Sequence, residues 1–119
     1  MTRARRFAVP SVTLLGLLLL FPAFPALADD ADMAAREAQY SAYHRAIAAH
    51  ERCRKTHLDE EAHAAVARYI ERQGASRIGT KRLMLIQQAK KDIRAAGCDS
   101  ALAQEALARF DAELQPQIP

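Results

Sequence analysis

Tryptophan and asparagine are absent from the chain, and no proline occurs between Pro25 and Pro116. Beyond residue 28 the only aromatic residues are Tyr40, Tyr43, Tyr69 and Phe110, and the only glycines are Gly74, Gly79 and Gly97. So few aromatics offer no row of stacking platforms for single-stranded nucleic acid, so nucleic acid is not an expected partner. So few glycines leave no phosphate-cradling loop, and H-E-x-x-H is missing too. Ser41, Ser76 and Ser100 sit in no recognisable nucleophile turn. Cysteine occurs twice, as Cys53 and Cys98, without the C-x-x-C spacing of a redox centre or the C-x-x-C-H of haem attachment. A short alanine-rich chain also leaves little room for a water-excluding pocket, and no catalysis is expected.

Acidic residues are missing from positions 1–28 as well. The formal charge of +3 equals the contribution of Arg3, Arg5 and Arg6, and residues 29–119 are balanced. The basic start, the leucine-rich run Val12–Phe21, the breakers Pro22 and Pro25, and Ala26-Leu27-Ala28 together predict a signal peptide cleaved after Ala28. The apolar run is shorter than the roughly 20 residues that a spanning helix needs, which disfavours an uncleaved anchor. A periplasmic or secreted protein is expected, with no transmembrane segment after cleavage.

What fills residues 29–119 is alanine, twenty-one times. Alanine has the highest helix propensity and proline the lowest, so the expected class is all-α. The expected architecture is a small antiparallel helical bundle or long helical hairpin of three to four helices, one domain over 29–115 with a frayed tail at 116–119. The first helical region covers about Asp32–Gln73. If it were continuous, Tyr40, Ile47, Leu58, Ala65 and Tyr69 would share one face. A bend or break near Arg54–Thr56 is favoured, because helices of about forty residues are rare in small domains and Thr56 precedes two acids. A further helix is expected from a Thr80 cap to Gly97, burying Leu83, Ile86, Ala89, Ile93 and Ala96. The last should run from Ser100 to Leu114, with Ala103, Ala106, Leu107, Phe110 and Leu114 inward.

So thin a core calls for a covalent staple. Two cysteines in an exported chain permit one intramolecular disulfide, Cys53–Cys98, which would tie distant segments together. Closing a loop of that length contributes about 4 kcal/mol on the chain-entropy estimate.

All four histidines lie between positions 44 and 63. On a continuous helix, His50, Cys53, His57 and Glu61 would fall along one side, and imidazole, thiolate and carboxylate suit zinc or copper. His50, His57 and Glu61 are therefore the candidate ligands, although a disulfide would consume Cys53. Imidazole also titrates near mildly acid pH, so the cluster is equally compatible with a pH sensor. In mature size, helical class and one long-range disulfide, the chain is similar to the small acid chaperones of the enteric periplasm. That likeness is one of architecture and rests on no shared motif.

The clearest charge feature is a basic stretch of Arg68, Arg72, Arg77, Lys81, Arg82, Lys90, Lys91 and Arg94, opposed only by Glu71 and Asp92. It either folds against the acidic ends of the chain or faces an anionic partner. The reading these features favour is a non-catalytic exported module that binds a protein or an anionic envelope component, with no resident cofactor. The alternatives are a zinc- or copper-binding protein and a pH-responsive chaperone.

Overall fold

A computed structural model describes residues 25–119. The expected leader therefore lies almost wholly outside the described residues. Within them the chain is all-helical, with no strand. Four α-helices follow one another: α1 (Pro25–Cys53), α2 (Glu60–Arg72), α3 (Arg82–Ala96) and α4 (Ala101–Arg109). None of the described helices is long and apolar enough to cross a membrane.

The long first region breaks where the sequence places a break. α1 ends at Cys53, and the Thr56 N–H reaches back to the Glu51 carbonyl at 3.1 Å around Lys55, which holds a left-handed φ of 50°. This is the six-to-one hydrogen bond of a Schellman-type stop, with lysine in the place usually taken by glycine. The next helix is capped by Asp59 rather than Thr56. The Asp59 carboxylate accepts from the Ala62 N–H at 2.8 Å and satisfies one of the orphan donors of the first turn.

Gly74, with φ of 101°, ends α2, and two 3₁₀ turns (Ala75–Arg77 and Gly79–Lys81) follow. α3 therefore starts at Arg82, later than a Thr80 cap would allow. Its first turn is also rotated relative to expectation. Arg82, not Leu83, turns towards the interior, where its guanidinium donates to the Ala75 carbonyl at 2.7 Å. Ala89 and Ile93 are buried as expected, whereas Leu83 is 67% exposed and Ala96 is exposed. Gly97 ends α3, and Ser100 caps α4 by accepting from the Ala103 N–H. α4 then widens into a π-helical turn at Phe110–Leu114, followed by a 3₁₀ turn at Gln115–Gln117.

Two apolar clusters hold these elements together. The larger joins Tyr40, Tyr43 and Ala46 of α1 to Val66 and Ile70 of α2, to Ala75 and Ile78, and to Phe110 and Leu114. Ile118, in the expected frayed tail, packs against it. The smaller joins Ala49, Ile93, Ala103 and Ala106, with Cys53 alongside. It is built mainly from alanines of α1 and α4 against Ile93 of α3, so the backbones approach closely and little side-chain entropy is lost on packing. Beside it, Cys53 and Cys98 form the disulfide, with a Cα–Cα distance of 5.6 Å across 45 residues of sequence.

Candidate anion-binding face

The disulfide brings the last turn of α1 to the end of α3, and a groove of about 320 Å³ lies between those two helices. Its floor is Ala48 and Ile93, and its rim is Glu51, Arg52, His57, Lys90 and Arg94. Glu51 is turned aside: its carboxylate lies 3.0 Å from His57 Nδ1 and is mostly covered. Arg52, Lys90 and Arg94 are exposed and form no ion pair among the described residues. Cations in the last turn of a helix are expected from its dipole alone, which accounts for Arg52 and Arg94. The dipole does not account for Lys90, a full turn earlier, nor for an apolar floor beneath all three.

The same side of α3 carries the large apolar side chains that the fold leaves in water, Leu83 at 67% and Met84 at 59% exposed. At 100° per residue, Leu83, Gln87, Lys90 and Arg94 fall within about 60° of one another, and Met84 and Lys91 flank them. Asp92, the one acid of α3, lies nearly opposite this stripe around the helix and accepts from Gln88 at 2.8 Å. The result is a helix face with an apolar end and a cationic end.

The structure sorts the basic residues expected to act together. Lys81 pairs with Glu37 at 3.1 Å and Arg82 with Glu71, so both serve to tie segments of the fold. Arg72 lies over the Tyr69 ring at 5.9 Å. Arg68 and Arg72 are exposed on α2, and Arg77 is exposed in the 3₁₀ segment. Only Lys90, Lys91 and Arg94 share α3's outer face, and Arg52 joins them from α1. Arg52 was not singled out in the sequence, although it directly precedes Cys53 and follows that cysteine to wherever the disulfide leads.

The histidines are not brought together as ligands. The continuous helix on which His50, Cys53, His57 and Glu61 would align ends at Cys53. The His50 ring stacks on Phe110 at 3.8 Å with an interplanar angle of 5°. Its Nδ1 lies 3.0 Å from Arg54 Nη1, and since a guanidinium only donates, that nitrogen accepts and carries no proton. Burial and the neighbouring Arg54 charge both lower the His50 pKa. His57 is held by Glu51, Glu61 is exposed on α2, and Cys53 is spent in the disulfide. Among the described residues no three His, Cys, Asp or Glu side chains converge as an ion would require. His44 is half-buried, against the Tyr40 ring at 4.4 Å, and desolvation, aided by Lys90, pushes its pKa down to about 4.

One polar cluster had no signal in the sequence. Glu113, on the π-helical turn, accepts from the hydroxyls of Tyr43 at 3.1 Å and Tyr69 at 3.2 Å, and Arg109 donates to its other oxygen. Burial and these bonds raise the Tyr43 pKa. The cluster links α1, α2 and the C-terminal segment, and both tyrosine hydroxyls in it are bonded, which is the pattern of a structural tie. Among the described residues no buried side-chain nitrogen or oxygen lacks a partner, so no polar group in the interior waits for a ligand. The chemistry left open is on the surface, where unpaired guanidinium and ammonium groups surround an apolar strip. No family model, curated protein or solved structure matches this chain.

Proposed function

We propose that the protein is an exported, non-catalytic binding module that engages an anionic component of the cell envelope through the outer face of α3. The observation that carries this reading is the convergence of Arg52, Lys90 and Arg94, without acid partners among the described residues, on the face that also exposes Leu83 and Met84. Export rests on the basic, leucine-rich and A-x-A pattern of residues 1–28. An antiparallel bundle is the arrangement that suits the contacts. Glu37 and Cys53 of α1 meet Lys81 and Cys98 in the same order, so α1 and α3 run the same way, whereas Tyr43 and Arg54 meet Glu113 and Asp111 in reverse order, so the C-terminal segment runs back along α1. Such a frame presents α3 with one side packed and the other free for a partner.

The test uses the protein purified in its disulfide-bonded form and mixed with envelope membranes at low and at high salt. Binding at low salt that falls steeply as salt rises is expected, because surface charges are screened within about 10 Å at 0.1 M. The triple variant Lys90→Gln/Lys91→Gln/Arg94→Gln should bind at least about tenfold more weakly, at roughly 1 kcal/mol per cation lost. Equal binding by that variant, or none by the parent, removes the reading. The burial of His44 favours a second reading, in which acid loosens the fold and changes what it binds.

A further inference from the structure

We infer that the anionic component is a phospholipid bilayer, and that the groove between α1 and α3 seats the phosphate of a lipid headgroup. This rests on the reading above and narrows it. Arg52 and Arg94 stand on opposite rims of the groove, and Lys90 stands one turn from Arg94. Guanidinium groups present forked donors that match phosphate oxygens, and an ammonium adds a compact point charge. Glu51, the acid in the groove, lies 3.0 Å from His57, and Arg52, Lys90 and Arg94 outnumber it three to one.

The apolar end of α3 distinguishes a bilayer from an acidic protein. Leu83 precedes Arg94 by eleven residues on one stripe, about 16 Å along the axis. A helix seated obliquely on a membrane sets the apolar side chains of one end into the acyl boundary and leaves the cations of the other end at the headgroup level, which is what this stripe offers end to end. Protein interfaces, by contrast, deplete lysine, and Lys90 and Lys91 stand between the apolar pair and Arg94 on the exposed side of α3. Among the described residues no element covers Leu83 or Met84, and an anionic bilayer answers both the charge and the apolar strip.

The experiment measures binding to vesicles of phosphatidylcholine with and without phosphatidylglycerol. The parent protein should bind only the anionic vesicles. Arg52→Gln/Arg94→Gln should weaken binding about tenfold or more, while Arg68→Gln/Arg72→Gln, which removes the same charge from α2, should weaken it only a few-fold. Equal losses in the two double variants would overturn the groove and leave general surface binding intact. No binding by the parent to any vesicle would overturn the bilayer assignment, and if envelope membranes still retain it, the broader reading survives. A second arm uses Leu83→Trp, the chain's only tryptophan. Its emission should shift to the blue on anionic vesicles, and an unshifted spectrum with binding intact overturns insertion. Soluble glycerol phosphate that competes fully with vesicles would reassign the groove to a free phosphate ester and defeat the lipid proposal.

Discussion

At the scale of single residues, Lys55 and His44 are held in states their chemistry resists. Lys55 takes the left-handed conformation that closes α1, where a Cβ meets the following carbonyl at a cost of about 1 kcal/mol or more. Glycine escapes that cost but loses more chain entropy on folding. Lys55→Gly is therefore expected to stabilise by roughly 0.5–1 kcal/mol, read as a higher urea midpoint at unchanged slope. His44 is half-buried with its pKa pushed down to about 4, against about 6.5 for an unfolded chain. The fold thus favours the neutral ring. Its contribution is complete above about pH 6.5 and is lost as pH falls from there towards about 4, by up to about 3 kcal/mol. Tyr40, Lys90, His63, Glu71 and Arg82 surround the His44 site, and Lys90 reinforces the loss. Urea titrations at pH 7.5 and 4.5 should show it, and His44→Leu should shrink the difference. A variant with the same pH dependence as the parent would place the acid response elsewhere.

At the scale of elements, the ends of helices matter more than their interiors. Asp59 fixes the start of α2, and Asp59→Ala should cost about 1 kcal/mol by freeing the Ala62 N–H. The π-helical turn closing α4 depends on Glu113, which serves two tyrosine hydroxyls at once. Glu113→Ala leaves the Tyr43 hydroxyl without its acceptor beside a ring only 1% exposed, and a loss of about 2 kcal/mol is expected in thermal or urea unfolding. Tyr43→Phe removes donor and demand together, so its cost should be smaller. On α3, the inward turn of Arg82 displaces Leu83 into solvent. An arginine whose stem packs and whose head reaches a carbonyl thereby frees an apolar side chain for the outer face.

At the scale of the molecule, the disulfide sets both stability and the proposed site. It joins the ends of α1 and α3 beside a cluster built mainly of alanine. Reduction should therefore lower stability by about 3–4 kcal/mol, seen as a large fall in melting temperature with dithiothreitol. The groove should loosen in step, since Arg52 and Arg94 stand on the two helices whose ends the bond holds together.

Helical class, the interruption after Cys53, the pairing of the two cysteines and the inward residues Ala103, Ala106, Phe110 and Leu114 follow from local rules, because propensity, periodicity and cysteine count act within a segment or admit one solution. The rotation of α3, the dispersal of the histidines and the Glu113 cluster depended on distant neighbours. Leu83 fits an inward stripe until the Ala75 carbonyl claims Arg82, and His50 fits a ligand row until Phe110 arrives from sixty residues away to stack on it. The groove belongs with these. Its cations are separated by nearly forty residues of chain, and their charge acts in one place only because packing and a sulfur bridge bring two helix ends together.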